Sequence, residues 1–201
     1  MDKINSSTVT NDTKKLLMDV STRLFNEKNF DDVSVNEICR EAGVTKGAFY
    51  HYFDSKYDIP IQQYREIQDR FFSDYLASAD RPFGERFYRV IMWFSDYCTL
   101  DKLNIFKNYY KALLVTDKSR VMRRTEMTTR VLKEMLCQGV AIGVFRKNIN
   151  INFVTETVTR FIFSLVLDWT IFNGEIDLQK ELAYLYRNTL YMISVNDKDI
   201  Q

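Results

Sequence analysis

Residues 34–56, SVNEICREAGVTKGAFYHYFDSK, constrain the fold more than any other stretch of the chain. Ser34 and Glu37 have the spacing of a capping box, in which each side chain binds the other residue's backbone amide. Gly43 suits the left-handed position that ends a helix, and Thr45 is a suitable N-cap for a second short helix. The stretch therefore predicts two short helices joined by a tight turn, which is the pattern of a helix-turn-helix.

A wider set of spaced positions accompanies this motif between residues 13 and 59. They are Phe25, Phe30, Val35, Ile38, Ala42, Gly43, Val44, Thr45, Gly47, Phe49, Tyr50, Phe53, Ser55, Lys56 and Ile59. Together they resemble the N-terminal domain of the TetR family, the tetracycline-repressor-like bacterial transcription regulators. The resemblance covers about a quarter of the chain. It implies a DNA-binding head of three helices and a body of six helices that binds a small molecule and dimerises.

The composition favours long helices, because 201 residues contain only six Gly and two Pro. We predict an all-α fold of about nine helices. An N-terminal three-helix helix-turn-helix domain, residues 1–55, is followed by a larger helical ligand-binding and dimerisation domain, residues 56–201. Residues 1–10 are polar and are predicted to fray before a first helix over 11–28. A long helix over 55–79 is predicted to join the two domains.

The net charge of the chain is +1, and the first 56 residues carry eight basic and nine acidic side chains. Bulk charge therefore does not indicate nucleic-acid binding, and the DNA-binding prediction depends on the motif. A helical interaction protein that keeps the head but has lost specific DNA binding is the alternative. An enzyme is disfavoured, because the acidic side chains are scattered and no nucleophile–base pair or metal cluster is evident. No catalytic residue, metal site or cofactor is predicted.

Three widely spaced cysteines without a CxxC pair are typical of a reduced cytosol. Cys39 is predicted to lie in the core. No secretion signal is recognised at the polar N-terminus. The most apolar run, residues 161–172, is too short to span a bilayer and contains Asp168. These observations predict a soluble, cytoplasmic protein without a membrane partner.

The second helix of a helix-turn-helix lies in the major groove with its first residues nearest the bases. The residues predicted to contact double-stranded DNA are Ser34, Thr45, Lys46, Gly47, Tyr50, His51 and Lys56. Lys46 suits either a guanine edge or a phosphate. Lys56 is predicted to bind a phosphate at the start of its helix. The resemblance implies that Tyr50 contacts the phosphate backbone and that Thr45, Lys46 and His51 face the groove.

The body is rich in aromatic residues at helical spacing, which suits either a core or a pocket for an apolar or aromatic molecule. The resemblance places an effector pocket in the body. The pocket residues predicted are Trp93, Tyr97, Phe106, Tyr110, Phe161 and Trp169. The effector itself is predicted to be largely hydrophobic or aromatic.

Two apolar segments, residues 153–172 and 178–193, suit either a dimer interface or the core of one chain. The interface residues predicted are Phe161, Leu165, Leu178, Leu182, Leu185, Tyr186 and Leu190. Two such helices from each chain make a four-helix bundle, as in the family, and a homodimer reads a palindromic operator. The resemblance implies repression that the effector releases. A basic stretch, Arg120, Arg123, Arg124, Arg130 and Lys133, is predicted to be a solvated surface.

Overall fold

The computed structural model describes residues 3–116 and 126–195, with the backbone alone for residues 3–11. This part of the chain contains nine α-helices and no named β-strand. The helices are α1 (Lys3–Glu27), α2 (Val35–Ala42), α3 (Lys46–Tyr52), α4 (Asp58–Ala77), α5 (Phe83–Tyr97), α6 (Leu103–Val115), α7 (Glu126–Ala141), α8 (Ile151–Ile171) and α9 (Leu178–Ile193). The all-α prediction is confirmed. Arg120, Arg123 and Arg124 of the basic stretch lie outside the described residues.

Local capping fixes the helix-turn-helix as the sequence predicts. The Ser34 hydroxyl accepts a hydrogen bond from the Glu37 amide at 3.1 Å. Gly43 ends α2 with a φ of 65°, a left-handed conformation that glycine adopts without steric cost. The Thr45 hydroxyl accepts from the Ala48 amide at 3.1 Å and starts α3. A turn of three residues therefore separates two capped helices.

The chain divides into two compact units. We call residues 3–64 and 104–116 the head unit, and residues 65–103 and 126–195 the body unit. Helix α4 contributes its first residues to the head unit and the rest to the body unit, whereas nearly all of α6 belongs to the head unit. The predicted domain boundary at residues 55 and 56 stays a prediction.

The head unit is built around a core that the first four helices share with the turn at Phe30–Asp32. Its buried members are Leu17, Met18, Leu24, Phe25, Phe30, Val33, Ile38, Cys39, Phe49, Phe53 and Ile59. Burial of each large aliphatic or aromatic side chain stabilises the fold by about 1.5–3 kcal/mol. Cys39 lies in this core as predicted, and burial raises the pKa of its thiol.

The body unit packs α5, α7, α8 and α9 together. Phe145, which is 1% exposed, follows α7 and lies against Phe83 and Phe87 of α5. A short antiparallel contact ties this segment to the end of α9, because the Arg146 amide donates to the Ile193 carbonyl at 2.8 Å. The body unit is therefore closed around aromatic side chains.

The prediction for the N-terminus is wrong in one respect. Helix α1 begins at Lys3, although residues 1–10 were expected to be frayed and the helix to begin at residue 11. No Gly or Pro interrupts residues 3–27, so the helix can extend one residue at a time once its apolar part has formed. Among the described helices, none combines the length and the apolar character that a bilayer span requires.

Candidate functional site

The outer surface of α3 carries most of the residues predicted to contact DNA. Lys46, Gly47, Tyr50 and His51 are exposed, and Tyr50 is 55% exposed. Phe49 points the other way and is 0% exposed in the head core. A helix of 3.6 residues per turn produces this separation when its apolar residues recur at one face. The structure thus presents polar and basic side chains together along the outer face of a short helix, from Lys46 in its first turn to His51 in its last.

Gly47 leaves an open space on this surface. A Cβ atom built at Gly47 would meet only the Thr45 hydroxyl oxygen, at an ordinary 3.7 Å. Packing within the described residues therefore does not require a glycine at this position. Because the missing side chain lets another backbone approach closely, the glycine suits contact with a partner.

Lys56 is not placed as a phosphate clamp, and that prediction is wrong. It lies before the first residue of α4, Asp58, and its ammonium donates to three backbone carbonyls within the head unit. The Nζ–O distances are 2.8 Å to Phe30, 3.0 Å to Asp31 and 2.9 Å to Val33. These three bonds use all the donors of a lysine side chain.

The surroundings of Lys56 are those of a structural residue. The ammonium lies 4.8 Å from the centroid of the Phe30 ring, close enough for a cation–π contact. Burial lowers the pKa of Lys56, and the carboxylates of Asp31 and Asp32 partly oppose that effect. The Lys56 ammonium therefore binds the segment between α1 and α2 and is not oriented toward a ligand.

Carboxylates of α1 and α2 form ion pairs with basic residues of the same unit. Arg23 pairs with Glu27 at 3.2 Å and with Glu41 at 3.1 Å. Lys28 donates to Glu37, and this hydrogen bond is the main reason that the pKa of Glu37 is lowered. Exposed pairs of this kind add little to stability. These ion pairs do place positive charges beside the carboxylates. The repulsion between these carboxylates and an approaching polyanion is therefore reduced.

The body unit contains a cavity of about 520 Å³ between α4 and α5. Aromatic and charged side chains line it, among them Phe71, Asp74, Tyr75, Tyr88, Trp93 and Asp96. The Trp93 indole N–H donates to the Asp74 carboxylate at 2.8 Å, and the Trp93 ring stacks on Tyr97 with centroids 4.7 Å apart. The cavity thus offers aromatic surface in a volume suited to a small molecule.

The six residues predicted for the effector pocket do not share one cavity. Of the six, only Trp93 lines the body cavity, and Tyr97 supports it. Phe106 and Tyr110 belong to the head unit, where Phe106 is fully buried. Trp169 is core at 3% exposure, and Phe161 lies on the outside of α8 at 39% exposure. For these four an effector contact stays a prediction, because helical spacing marks apolar positions without showing what they pack against.

The leucines predicted for a dimer interface are buried within one chain, and their part in an interface stays a prediction. Leu165, Leu178, Leu182, Leu185 and Leu190 are between 0% and 8% exposed and form core within the body unit. Tyr186 is half-buried against Phe87 and Tyr88. Phe161 alone among the predicted interface residues is exposed.

Helices α8 and α9 also carry an exposed apolar surface, of which only Phe161 is among the individually predicted interface residues. Its exposed members, which we call the outer apolar surface, are Phe153, Phe161, Ile171, Tyr184, Tyr191 and Met192. The sequence does contain a signal for this surface, because residues 153–172 are apolar nearly all round. A helix that packs against the core of its own chain on one side needs apolar residues only on that side.

The N-terminal segment also matches a known family model. Residues 17–60 match the model described as "Bacterial regulatory proteins, tetR family". The matched segment includes all of α2 and α3, whose geometry is that of a helix-turn-helix. The segment that holds the helix-turn-helix is therefore similar to the DNA-binding segment of TetR-family regulators. The resemblance noted from the motif residues is therefore confirmed.

Individual relatives agree with this assignment. The chain is 35% identical over 60 residues to the uncharacterized HTH-type transcriptional regulator YuxN of Bacillus subtilis, and the match covers 30% of this chain and 21% of that protein. The match thus spans about a fifth of the length of that relative.

Two solved structures resemble the whole fold. One is FadR of Thermus thermophilus, a TetR-family repressor in complex with lauroyl-CoA, with a TM-score of 0.74 and 19% identity over 91% of this chain and 96% of that one. The other is FadR of Bacillus subtilis in complex with stearoyl-CoA, with a TM-score of 0.69 and 18% identity over 89% and 96% of the two chains. At these identities the likeness concerns the TetR-family fold alone.

Proposed function

We propose that this chain is a cytoplasmic transcriptional regulator, a repressor, that binds a palindromic operator as a homodimer and is released by a largely hydrophobic or aromatic effector. The observation that carries the proposal is the outer surface of α3. There Lys46, Gly47, Tyr50 and His51 are exposed together on a rigidly capped helix. A helix presented in this way fits the major groove of B-DNA.

Within this proposal Lys46, Gly47 and Tyr50 have different tasks. The Lys46 ammonium supplies charge for a phosphate or a guanine edge, and the Tyr50 hydroxyl suits a phosphate oxygen. Gly47 allows the α3 backbone to come close to the duplex. Ser34 is exposed at the start of α2 and caps that helix, so a phosphate at this end would meet free amides and a positive helix dipole.

Lys46→Ala is expected to weaken binding to the operator about tenfold. It should also reduce by about 1 the magnitude of the slope of the logarithm of the association constant against the logarithm of the salt concentration. The physical reason is the loss of one contact between an exposed ammonium and the duplex. Genomic fragments selected by the purified full-length protein supply the operator, and fluorescence anisotropy across a salt series measures the affinity.

Lys133→Ala is the matched control, because Lys133 is an equally exposed lysine on α7 of the body unit. It should leave affinity and salt slope unchanged. A selection that recovers no sequence, together with equal weak binding to any duplex, would contradict the proposal. That outcome favours the alternative, a helical interaction protein that has lost specific DNA binding.

The outer apolar surface of α8 and α9 supports the proposed homodimer. Phe153, Ile171 and Tyr191 are each more than half exposed on neighbouring helices of one unit. Exposure of these apolar side chains to water is energetically unfavourable. A second copy of the same two helices would cover them by forming a four-helix bundle. A two-fold symmetric contact of this kind also matches a palindromic operator.

The double variant Phe161→Asp with Tyr191→Asp is expected to convert the dimer to a monomer, because each dimer would bury four unpaired carboxylates. Sedimentation velocity at micromolar concentration measures the change. Ile142→Asp is the control, since Ile142 is 59% exposed and lies outside both helices. A wild-type protein that is monomeric at this concentration, or an unchanged dimer in the double variant, would refute this interface.

The effector is proposed to bind in the body cavity beside Trp93. Its aromatic lining suits apolar ligands, and the lauroyl-CoA and stearoyl-CoA complexes of the two FadR proteins support a largely hydrophobic effector for this fold. By the proposal the effector binds better to the form with low DNA affinity, because only differential affinity shifts the equilibrium.

Trp93→Phe is expected to abolish the fluorescence change that an effector produces. The chain has only two tryptophans, and Trp169 is buried away from the cavity lining. Lauroyl-CoA and a panel of apolar aromatic compounds are the probes, with free coenzyme A as a ligand control. Trp169→Phe should keep the response, and a response that survives in Trp93→Phe would place the effector elsewhere.

A further inference from the structure

The charged side chains of the body cavity are distributed unevenly along α5. Glu85 lies in the first turn of this helix and Asp96 in its last turn, and both line the cavity. Because an α-helix rises 1.5 Å per residue, these two positions are about 16 Å apart along the axis. Arg81 and Arg89, the basic residues of the described lining, both form ion pairs with the Glu85 carboxylate. Their charges are therefore directed to the Glu85 end of the cavity.

The other end of the cavity carries two carboxylates beside Trp93. Asp74 accepts the indole N–H of Trp93 at 2.8 Å, and one such bond uses only part of the acceptor capacity of a carboxylate. Asp96 follows Trp93 by three positions, which places the two side chains next to each other on α5. Among the residues that the structure describes, none forms a hydrogen bond or an ion pair with Asp96. The described lining, with three acidic and two basic side chains, has a formal charge of −1.

Aromatic rings form the wall next to these carboxylates. The Trp93 ring lies 5.3 Å from the ring of Phe71, which also lines the cavity, and 4.7 Å from the ring of Tyr97, which does not. Tyr97 already binds two cations of the chain, since the Lys102 ammonium and the Arg70 guanidinium lie 4.6 and 5.8 Å from its centroid. No cationic side chain of the described residues lies over the Trp93 ring, although tryptophan is the ring that attracts cations best.

We propose, on the basis of the effector site proposed above, that the effector is a lipophilic cation, such as a quaternary ammonium or phosphonium ion with apolar substituents. The cationic centre lies beside Asp96, Asp74 and the Trp93 ring, and the apolar substituents fill the rest of the cavity. A quaternary centre donates no hydrogen bond, so carboxylates and aromatic rings are the groups that stabilise it. The cavity volume of about 520 Å³ suits a molecule of this class.

Three probes of similar apolar surface and different charge test the ligand class. They are tetraphenylphosphonium, its anionic counterpart tetraphenylborate and the neutral triphenylphosphine oxide. Isothermal titration calorimetry on the full-length protein in sodium buffer measures their affinities without operator DNA. Saturable binding is expected for the phosphonium ion, and at least about tenfold weaker binding for the other two. Equal or tighter binding of the borate or the oxide would overturn the proposal, and so would the absence of saturable phosphonium binding.

Asp96→Asn keeps the shape of the side chain and removes its charge. It is expected to weaken phosphonium binding about tenfold and to change the affinity for triphenylphosphine oxide by less than about twofold. Asp69→Asn is the matched control, because Asp69 is exposed on α4 and does not line the cavity. Equal affinity of Asp96→Asn and wild type would refute the proposal. Equal weakening by both variants would do the same, because it would show an effect of net charge alone.

Operator binding separates the ligand class from the regulator function on which it rests. Tetraphenylphosphonium is expected to lower the operator affinity of the wild-type protein at least about tenfold, measured by fluorescence anisotropy. Phosphonium binding in the calorimeter that leaves operator affinity unchanged would support the ligand class and contradict release by an effector. Release of the operator by neutral apolar compounds, without phosphonium binding, would support the regulator function and overturn the lipophilic cation.

Discussion

Replacing Lys56 with methionine is expected to lower the free energy of unfolding of the head unit by about 2–4 kcal/mol. The variant keeps most of the aliphatic stem but removes an ammonium that donates to the carbonyls of Phe30, Asp31 and Val33. A hydrogen bond to a charged group contributes about 1.5–3 kcal/mol, and the part-buried site reduces the sum. Urea denaturation followed by circular dichroism, with hydrogen exchange of α2 and α3 amides, measures the loss.

The same variant separates the two roles that a lysine at this place can have. As a structural residue, Lys56 controls stability, and Lys56→Met lowers DNA affinity only through loss of the folded head. As a phosphate contact, it would leave the unfolding free energy intact and reduce the salt slope by about 1. Lys46→Met is the matched control, because an exposed lysine is expected to change stability by no more than about 0.5 kcal/mol. Stability equal to wild type in Lys56→Met would contradict the structural role.

The role of Lys56 shows where prediction from sequence stops. The carbonyls that it binds come from residues 23 to 26 positions earlier in the chain. No local pattern reveals such a contact, and the same residue next to a helix start is equally compatible with a phosphate site. In contrast, the sequence correctly predicts that Ser34 and Thr45 start helices, because a cap binds an amide only three residues away.

The body illustrates a second limit, which concerns the direction of apolar side chains. Helical periodicity predicted α8 and α9 to within a few residues, because burial of an apolar stripe repeats every three to four positions. It could not tell which stripe is core and which is exposed when a helix is apolar nearly all round. Leu182, a predicted interface residue, is therefore buried within one chain, whereas Tyr191, which is not among the predicted residues, is 68% exposed.

Gly139→Ala is expected to lower the free energy of unfolding of the body unit by about 2–3 kcal/mol, although alanine is the better helix former. A Cβ atom at Gly139 would overlap the ring of Phe145 and would lie 2.9 Å from Cζ of Phe83. The Phe145 ring is itself wedged between Phe83 and Phe87, with centroids 5.5 and 5.1 Å away, so it cannot move without disturbing the core. Thermal and urea unfolding measure the change.

Two further variants make this test specific to the contact. Gly84→Ala is the matched control, because a Cβ atom there meets nothing within 4 Å and should leave stability unchanged or raise it by up to about 1 kcal/mol. Combining Gly139→Ala with Phe145→Leu removes the overlapping ring, so the double variant should lose less stability than the sum of the two single variants. Equal effects of Gly139→Ala and Gly84→Ala, or strict additivity in the double variant, would show that α7 and Phe145 are not in close contact.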